Sequence, residues 1–464
     1  MTDHTHDIII VGGGTAGLVA AAGAAALGAK AALIERSALG GECLWTGCVP
    51  SKALIAFARK YRDGGRRTGE GSWADAVTWL RSARDRIAPH DSPERFRSLG
   101  VDVFLSPARL TGPERVEIYN RALRAKRIVL AMGSGPAAPP IPGLSEMGFL
   151  THVTALDQTR LPSRIAIVGG GPTGLEFAQT YRRLGAEVTV LEVMPELLPK
   201  EDPEAGRFIR ACLEAEGIAV LTGFRAQEVR RDGASKVVIG EDGRRVTADE
   251  LFVAAGRRPN TSDAEPARAG VELDDGAVRV SPGLETTARG IWAAGDVTGG
   301  LQFTPVAEYM AKVVVQNALT PLTTKVDYRV VPWVTFTDPE VARVGLTFDE
   351  AAAAGERAEA HRAEFSDLDR AIVDGATVGF CKIVTRKGGT ILGATIIGRG
   401  AGELIMELAL AMRHGIRLGR LARAIHPYPT MGEIVKRTAD SWYRTRYGDT
   451  RRGHLVRRLV RWWL

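Results

Sequence analysis

The sequence has little cysteine, no segment that reads as a secretion signal, and no excess of charge outside one short region. Only 4 of the 464 residues are cysteine, which excludes the disulfide scaffold of small secreted domains. The first seven residues, MTDHTHD, lack the basic region of a signal peptide. Hydrophobic residues make up 45 % and charged residues 25 %, which excludes a wholly disordered, collagen-like or coiled-coil chain. This length predicts about two to four domains.

The net positive charge of the chain comes from its last 29 residues. From Lys436 to Leu464 there are nine Lys or Arg and two acids, Asp440 and Asp449, and their difference equals the whole formal net charge of +7. The other 435 residues are therefore formally neutral. A nucleic-acid-binding protein usually carries its basic patch on a folded domain, beside aromatic side chains that stack on bases. We therefore expect no nucleic-acid partner.

One long apolar run extends from Ile8 to Ile34. Its length alone would make it a candidate membrane span. Its internal order favours a buried strand–helix–strand unit instead, because a β-branched stretch meets a glycine cluster, an Ala-rich helix follows, and a second β-like stretch ends at Glu35. No other run qualifies, so we expect the bulk of the protein to be cytoplasmic.

This N-terminal unit recurs further along the chain. DIIIVGGGTAGLVAAAGAAALGAKAALIER is repeated as RIAIVGGGPTGLEFAQTYRRLGAEVTVLEV, with a constant offset of 157 residues. Each copy reads as strand, G-x-G-x-x-G, helix, strand and acid. The matching positions are Gly12, Gly14, Gly17, Gly28 and Glu35 in the first copy and Gly169, Gly171, Gly174, Gly185 and Glu192 in the second.

The spacing has a chemical reason. The first glycine permits a tight turn, the second lets the backbone approach a pyrophosphate, and the third lets the helix pack on the strand. The free N–H groups and positive dipole of the helix N-terminus then face the phosphates, and the acid accepts hydrogen bonds from an adenosine ribose. Two such copies predict two dinucleotide-binding sites.

The second site favours NADH over NADPH. Glu192 is followed by Val193 and Met194, with no adjacent Arg to meet a 2′-phosphate. Arg182 and Arg183 lie on the predicted helix that follows the second glycine loop, and they keep NADPH open as the alternative.

A pair of cysteines follows the first repeat in GGECLWTGCVPSKAL. Cys43 and Cys48 lie five residues apart at the start of an apparent helix. They are either two inert packed cysteines, half of a metal site, or a redox pair. Metal sites use tighter pairs with further Cys or His ligands, and none is nearby, so we predict no metal site. A helix N-terminus lowers the pKa of a thiol, and a pair that closes a disulfide there suits two-electron exchange.

The segment GGECLWTGCVPSK resembles the redox signature of the flavin-dependent (class I) pyridine nucleotide–disulfide oxidoreductases, which include dihydrolipoamide dehydrogenase, glutathione reductase and mercuric reductase. Four further motifs extend the resemblance over nearly the whole chain: AMGSGP at 131–136, AAGRRPN at 254–260, GIWAAGDVTGG at 290–300 and FTDPEVARVGLT at 336–347. The resemblance implies an α/β fold with two Rossmann-like dinucleotide-binding domains, for FAD and NAD(P)H, and a C-terminal α+β domain that forms a homodimer. The implied bounds are 1–150 and 284–321 for the FAD domain, 151–283 for the NAD(P)H domain, 322–449 for the dimerisation domain and 450–464 for a basic tail.

The resemblance also implies roles for individual residues. Cys48 would be the flavin-facing thiol, Cys43 the interchange thiol that attacks substrate, and Lys52 would lie near the flavin and pair with Glu176. Asp296 would bind the ribityl or phosphate region of the flavin. The implied FAD-binding residues are Gly12, Gly14, Gly17, Glu35, Gly41, Lys52, Ala108, Ala131, Gly133, Ser134, Gly295, Asp296 and Ala307. The implied NAD(P)H-binding residues are Gly169, Gly171, Gly174, Glu176, Glu192 and Gly256.

The C-terminal segment AIHPYPTMGEI departs from the common family pattern. Disulfide reductases of this family carry a His directly before Pro-Thr, with a Glu five residues after it, and this acid/base comes from the partner subunit. Here Pro429 and Glu433 fit the pattern, but Tyr428 replaces the His, and His426 lies two residues earlier, where dihydrolipoamide dehydrogenases carry an additional His. A Tyr with a pKa near 10 is poorly matched to proton transfer at neutral pH.

Mercuric reductases also carry a Tyr at this place, so the chain resembles that branch, with dihydrolipoamide dehydrogenase as the alternative. The sequence has neither an N-terminal C-x-x-C domain nor a final cysteine pair, both found in mercuric reductases. We therefore expect a mercuric-reductase-like enzyme that acts on a disulfide, a thiol or a metal ion. Cys212 and Cys381 are expected to be packed residues. Trp45 stands where the family usually has Asn, and it either packs beside the flavin, which we favour, or narrows access to the cysteines.

The tail RRGHLVRRLVRWWL has the pattern of a basic amphipathic helix. Its apolar side chains fall on one face and its arginines on the other, which suits an anionic membrane surface. A terminal helix docked on the dimer and a frayed end are the alternatives. The tail, 451–464, therefore keeps open a peripheral contact at the inner face of a membrane, and a flavoprotein that delivers electrons to a protein or quinone there. The face residues are Leu455, Val456, Leu459, Val460 and Trp463, opposite Arg457, Arg458 and Arg461.

Overall fold

The computed structural model describes residues 4–64, 70–119, 121–448 and 450–464. The predicted bounds at residues 1 and 449 lie outside these ranges. The first stretch contains β1 (Ile8–Val11), α1 (Thr15–Ala26), β2 (Ala31–Glu35), α2 (Gly41–Trp45), α3 (Cys48–Asp63), α4 (Glu70–Ile87), α5 (Pro93–Ser98), β3 (Asp102–Leu105), β4 (Ala108–Gly112), β5 (Arg115–Ile118), β6 (Arg121–Arg124), β7 (Ile128–Leu130) and β8 (Ser134–Pro136).

The middle of the chain repeats this alternation of strands and helices. It contains α6 (Leu144–Met147), β9 (Arg164–Val168), α7 (Pro172–Leu184), β10 (Glu187–Leu191), α8 (Pro203–Ala215), β11 (Ala219–Leu221), β12 (Ala226–Asp232), β13 (Ser235–Gly240), β14 (Arg245–Ala248), β15 (Glu250–Val253), β16 (Arg257–Pro259), β17 (Leu273–Asp274), β18 (Ala277–Val278), β19 (Ile291–Ala293) and α9 (Thr304–Leu319).

The last stretch has longer strands, and short helices separate some of them. It contains β20 (Pro332–Thr335), β21 (Glu340–Gly345), α10 (Phe348–Ala353), β22 (Ala358–Glu364), α11 (Asp369–Val373), β23 (Phe380–Arg386), β24 (Ile391–Gly398), α12 (Ala401–Arg413), α13 (Leu418–Leu421), α14 (Glu433–Tyr447) and α15 (Arg451–Trp463).

The first sheet is parallel and has the strand order β19-β7-β1-β2-β3. Its central strand, IIIV, is buried along its whole length, as expected for a strand covered by helices on both faces. The late strand β19 pairs with β7, so two distant stretches of chain build one sheet. Helices α1 and α9 pack closely because α1 is made of small residues, and a Cβ on Gly23 would lie 3.3 Å from Val315.

The second sheet repeats this design with the parallel order β11-β10-β9-β15. Each parallel sheet carries an antiparallel excursion, β4-β5-β6 in the first and β12-β13-β14 in the second. The apolar run from Ile8 to Ile34 therefore folds as β1, α1 and β2, which confirms the strand–helix–strand interpretation. In the described part of the chain, no helix is both long and apolar enough to cross a membrane.

The third sheet is antiparallel, with the order β20-β21-β24-β23-β22. Helices α12 and α14 cover it with buried side chains that include Ile405, Leu408, Ile434 and Val435. This arrangement confirms the predicted fold class, two Rossmann-like α/β units followed by an α+β domain. Helices α3, α4 and α7 pack where the first two units meet, with Trp73 stacked on Tyr181 at 5.5 Å.

Candidate active site

The first glycine loop leaves one side open. Gly12 has φ +108°, and a Cβ there would lie 2.3 Å from the carbonyl oxygen of Ala131. A Cβ on Gly17 would lie 1.8 Å from the carbonyl oxygen of Gly12. A Cβ on Gly14 would meet only Gly41, at 3.8 Å. The first and third glycines are therefore required because a side chain there would overlap the backbone. The middle glycine leaves open space beside the loop, as a bound pyrophosphate requires.

The second loop repeats these distances. Gly169 has φ +116°, and its Cβ would lie 2.5 Å from the carbonyl oxygen of Ala254. A Cβ on Gly174 would lie 2.0 Å from the carbonyl oxygen of Gly169, and a Cβ on Gly171 would meet nothing within 4 Å. Both loops thus have the open space that a bound dinucleotide requires.

Each repeat places its acid against its own glycine loop. Glu35 accepts a hydrogen bond of 2.7 Å from the backbone N–H of Gly13, and Glu192 accepts one of 2.6 Å from Gly170. Each carboxylate also accepts from the backbone N–H two residues beyond itself. These bonds hold both carboxylates at the carboxyl ends of their strands, where a ribose would lie.

The two arginines that kept NADPH open are engaged elsewhere. Arg183 donates hydrogen bonds of 2.8 and 2.6 Å to the carboxylate of Glu216, and Arg182 donates one of 2.8 Å to the Glu216 carbonyl. Arg183 also forms an ion pair with Asp338 at 3.1 Å. In this structure both guanidinium groups therefore bind other residues of the chain and do not lie free to meet a 2′-phosphate.

The two thiols of the redox motif lie around one hydroxyl group. The Oγ1 atom of Thr304, the first residue of α9, is 3.5 Å from Cys48 Sγ and 3.6 Å from Cys43 Sγ. Both thiols are free, with Cys48 exposed and Cys43 half-buried. The hydroxyl can donate its single proton to either sulfur.

The thiols are chemically unequal. A hydrogen bond from Cys43 lowers the pKa of Cys48 to about 6, with further help from Thr304 and Lys52. Although Cys48 is exposed as a residue, the atoms around its sulfur partly desolvate it, and this acts in the opposite direction. The same bond, with burial, raises the pKa of Cys43 well above its usual range. Cys48 is also the first residue of α3, where the helix dipole favours a thiolate. Near neutral pH the pair therefore holds one thiolate, on Cys48, and one thiol, on Cys43.

Lys52 and Glu176 meet beside the thiols. Lys52 Nζ donates hydrogen bonds of 2.9 and 3.1 Å to the buried carboxylate of Glu176. The backbone N–H of Phe336 donates to the same carboxylate at 3.0 Å, and the ammonium lies 4.5 Å from the centre of the Phe336 ring. This point joins α3, α7 and the segment after β20, so all three domains position the ion pair.

A second charged network adjoins Cys43, and its centre, Glu42 with Arg257 and His152, was not predicted from the sequence. Glu42 accepts hydrogen bonds of 2.7 and 2.8 Å from Arg257 and one of 2.9 Å from His152. Arg257 also donates to Ser134 Oγ at 2.9 Å, and Ser134 donates to Asp296 at 2.7 Å. The AAGRRPN motif contained Arg257, but nothing in the sequence indicated that Glu42 would be its partner.

Burial and hydrogen bonding oppose each other in this network. Burial alone would raise the pKa of Glu42, but the bonds from His152 and Arg257 lower it to about 2. Burial raises the pKa of Asp296, and Ser134 and Arg257 offset only part of that effect. Asp296 begins a turn shortly after β19, at the carboxyl edge of the first sheet, where open α/β sheets bind their ligands.

The other predicted FAD residues fall into two groups. Gly41 touches Gly14, and Gly295 lies between Ala16 and Ala307, so these belong to the wall of the open space beside the first glycine loop. Positive φ values occur at Gly41, Gly133, Gly256 and Gly295. Ala108 begins β4 and packs against the apolar cluster that contains Val11, which directly precedes the first glycine loop, and Leu130.

The C-terminal residues form their own cluster. The hydroxyl of Tyr428 donates a hydrogen bond of 3.0 Å to Asp369, which also accepts one of 3.0 Å from Arg437. His426 Nε2 lies 3.1 Å from Glu407. Glu433 begins α14, and its Oε2 atom is buried without a hydrogen-bond partner. Within the described residues of one chain, no hydrogen bond links this cluster to Cys43 or Cys48. The role of this cluster at the partner subunit stays a prediction.

The remaining candidates are packed. Trp45 Nε1 donates a hydrogen bond of 2.7 Å to the carbonyl of Leu39, and the guanidinium of Arg84 lies 5.1 Å from its ring. Burial raises the pKa of Cys212 to about 11 and that of Cys381 to about 12, so both are neutral thiols. No group of three or more Cys, His, Asp or Glu able to hold a metal ion occurs among the residues that the structure describes.

Comparisons with known proteins agree with this geometry. Residues 6–311 match the family model described as pyridine nucleotide-disulphide oxidoreductase, and residues 331–439 match the model of its dimerisation domain. The mercuric reductase of Streptomyces lividans is 35 % identical over 460 residues, which cover 95 % of this chain and 97 % of that protein. The dihydrolipoyl dehydrogenase of Thermus scotoductus is 33 % identical, with coverages of 95 % and 98 %.

A solved structure shows the same fold. The HOCl-induced flavoprotein disulfide reductase RclA from Escherichia coli superposes with a TM-score of 0.87 at 28 % identity, covering 94 % of this chain and 99 % of that one. The chain therefore belongs to the pyridine nucleotide–disulfide oxidoreductase family, a group of FAD-dependent oxidoreductases that use NAD(P).

Proposed function

We propose that this protein is an FAD-containing, NAD(P)H-dependent oxidoreductase whose working redox group is the Cys43–Cys48 pair. The observation that carries the proposal is the placement of two unequal thiols around the Thr304 hydroxyl, beside the Lys52–Glu176 ion pair. Bound FAD supplies two-electron transfer between the nicotinamide and the thiol pair. Gly12, Gly14, Gly17, Glu35 and Asp296 would hold the FAD. Gly169, Gly171, Gly174 and Glu192 would hold the nicotinamide cofactor.

The dithiol can reduce a disulfide substrate in two displacements. Cys43, once deprotonated, attacks one substrate sulfur, forms a mixed disulfide and releases the first substrate thiolate. The Cys48 thiolate then attacks the Cys43 sulfur, closes the Cys43–Cys48 bond and releases the second. The first displacement requires a base, because the pKa of Cys43 is raised.

Tyr428 is poorly suited to supply that base. The hydrogen bond to Asp369 raises the pKa of Tyr428 above its ordinary value, so the hydroxyl keeps its proton at neutral pH. It can donate a proton to a leaving group but cannot remove one from Cys43. This favours a thiophilic metal ion, which displaces the thiol proton by binding sulfur, over a disulfide substrate such as lipoamide.

NADH is the proposed reductant. Glu192 would accept from the ribose hydroxyls of NADH and would repel a 2′-phosphate, and Arg182 and Arg183 are engaged by Glu216. We expect a higher kcat/KM with NADH than with NADPH. A preference for NADPH, measured under the same conditions, would contradict this assignment.

We also propose that the protein is a homodimer and that its domains divide near residues 150, 284 and 322. The match to the dimerisation domain supports the homodimer. Large apolar side chains exposed on this domain, Ile425 at 99 % and Val373 at 77 %, are the kind of surface that a partner covers. Light scattering after gel filtration should give twice the chain mass of 49.8 kDa, and a single chain mass at micromolar concentration would contradict the dimer.

Anaerobic titration with NADH tests the redox assignment. We expect a two-electron-reduced enzyme with a long-wavelength band from a thiolate beside the flavin. Cys43→Ser should show the band before NADH is added, because Cys48 then has no disulfide partner and stays a thiolate, and Cys48→Ser should show none. If the native protein shows no band, or if both variants keep it, the assignment of the pair is wrong.

A substrate panel then distinguishes the acceptors. It should include Hg(II), Cu(II), lipoamide, glutathione disulfide and quinones. Cu(II) is included because a solved RclA structure is described as a Cu(II) complex. Dihydrolipoamide dehydrogenase is the second candidate function because of the relative from Thermus scotoductus. Lipoamide turnover well above that of the metal ions would favour it.

A further inference from the structure

The last helix, α15, is anchored at its start. Thr450 caps it by accepting a hydrogen bond of 3.1 Å from the backbone N–H of Gly453. Gly453 is buried, and a Cβ there would lie 2.1 Å from the carbonyl oxygen of Gly448 and 2.3 Å from that of Tyr447. Helix α14, which ends at Tyr447, packs on the third sheet. The first turn of α15 is therefore joined closely to the folded body.

The rest of α15 presents an uncovered apolar face. At about 100° a residue, its large apolar side chains fall within an arc of about 160°, which in the first turn also includes Arg452. All of them are exposed, including Leu455 at 58 %, Trp462 at 80 % and Trp463 at 81 %. The described chain covers none of this face after Gly453. The arc contains Leu455, Val456, Leu459, Val460, Trp462 and Trp463.

The charge of this segment has one sign. Residues 451–464 contain five arginines and no acid, whereas the 435 residues before Lys436 are formally neutral. Arg457, Arg458 and Arg461 lie outside the apolar arc and flank it. An apolar face bordered by cations, with Trp at one end, combines the two properties that an anionic bilayer surface attracts.

We propose that α15 binds to the surface of an anionic phospholipid bilayer. Its apolar face would enter the boundary between headgroups and acyl chains, and its flanking arginines would lie among the phosphates. This inference is independent of the proposed redox function, because none of its residues touches the thiol pair or the glycine loops.

Two other occupants fit the helix less well. The helix has 13 residues and is about 20 Å long, whereas the hydrocarbon core of a bilayer is about 30 Å thick, so α15 is too short to cross it. A second α15 would bring five further arginines, without an acid, against the first five, and this repulsion opposes self-association.

Co-sedimentation of the FAD-loaded full-length protein with vesicles tests the proposal. One set of vesicles is phosphatidylcholine alone, and the other is a two-to-one mixture of phosphatidylcholine and phosphatidylglycerol. We expect binding to the mixed vesicles, weakened by added salt because exposed charges are screened, and little binding to phosphatidylcholine. Equal and negligible binding to both sets would overturn the proposal.

Three variants locate the contact. A chain that stops before Thr450 should lose binding. Arg458→Gln combined with Arg461→Gln should weaken binding on the order of 30-fold, since each basic residue contributes roughly fivefold at an anionic surface. Leu459→Gln combined with Trp463→Gln should weaken it with the charge unchanged.

Arg81→Gln combined with Arg86→Gln is the matched control, because it removes the same charge from exposed positions on α4. The control should bind as the native protein does. Flavin content and thermal unfolding of each variant show that the body is folded. If the shortened chain binds vesicles as well as the native protein, or if the control loses as much binding as the α15 arginine pair, α15 is not the contact. A shortened chain that loses its dimer mass, with no vesicle binding in the native protein, would instead assign α15 to the dimer.

Discussion

At the scale of single residues, the chemistry of the site depends on which thiol keeps the proton. The hydrogen bond between the two sulfurs keeps the proton on Cys43, and Thr304 and Lys52 further stabilise the Cys48 thiolate. Thr304 has this influence because it begins α9, so its hydroxyl and the N-terminal end of a helix approach the sulfurs together.

Thr304→Val should raise the pKa of Cys48. A hydrogen bond to a charged group is worth about 1.5 kcal/mol, which corresponds to about one pH unit. The thiolate–flavin band of the reduced enzyme is lost as pH falls through the pKa of Cys48, near 6, so its midpoint should move upward by about one unit. Thr304→Ser keeps the hydroxyl and should keep the midpoint. Equal midpoints in the Val and Ser variants would show that the hydroxyl does not act on the thiolate.

Glu42→Gln should destabilise the protein and change its response to acid. The substitution weakens bonds to two charged or chargeable partners, Arg257 and His152, and should lower the free energy of unfolding by about 2 kcal/mol at neutral pH. The folded pKa of Glu42, about 2, lies below its ordinary 4.5. Its contribution is therefore complete above pH 4.5 and lost as pH falls toward 2. Urea unfolding at several pH values should show the difference between native and variant proteins narrowing over that range, and a constant difference would contradict it.

At the scale of elements, the second and third glycines of each glycine loop have different structural roles. The third glycine of each loop lies against a carbonyl of the first, which fixes the helix on the strand. The middle glycine has open space beside it. A sequence pattern alone does not separate these roles, although the distances do.

Gly171→Ala and Gly174→Ala should therefore have opposite effects. A Cβ on Gly171 meets nothing within 4 Å, so the variant should unfold like the native protein while its KM for NADH rises. A Cβ on Gly174 would lie 2.0 Å from a carbonyl oxygen, and the overlap should cost about 3 kcal/mol of stability or more. Thermal unfolding and NADH kinetics on both variants check this pair. Similar losses of stability in both would contradict the assignment.

At the scale of the whole molecule, a charged cluster joins the three domains. Asp338, in the loop after β20, forms ion pairs with Arg62 on α3 and Arg183 on α7, both at 3.1 Å. Burial would raise the pKa of Asp338, but Arg183, Arg59 and Arg62 lower it overall. Helix α3, which contains Cys48, is thereby connected to the second α/β unit and to the C-terminal domain.

Asp338→Asn should reduce the free energy of unfolding by about 3 kcal/mol, because it leaves the nearly buried Arg183 with one acidic partner fewer. The stability that Asp338 contributes is present above its ordinary pKa and lost on acidification, since its folded pKa is lowered. Asp263→Asn is the matched control, because its ion pair with Arg36 is well exposed, and it should unfold as the native protein does. Equal effects of the two substitutions in urea unfolding would contradict the role of the cluster.

The two glycine-loop units and the pair of cysteines could be predicted from the sequence. Their signals are local, since the glycines, the acid and the two cysteines are needed at short spacings that backbone geometry imposes. The apolar run from Ile8 to Ile34 was likewise interpretable as β1, α1 and β2, because its glycine cluster interrupts a spanning helix.

The surroundings of the thiols, in contrast, depend on contacts between residues far apart in the chain. Thr304 is separated from Cys48 by 256 residues, and Arg257 from Glu42 by 215. Thr304 reaches the thiols because β19 returns to the first sheet beside β7 and α9 follows it, and Arg257 reaches Glu42 because β16 pairs with β8. Strand pairing over such distances depends on the burial of whole sheets, and no short pattern records it. The same reason explains why Arg182 and Arg183, plausible phosphate ligands in sequence, are bound by Glu216 in the folded chain.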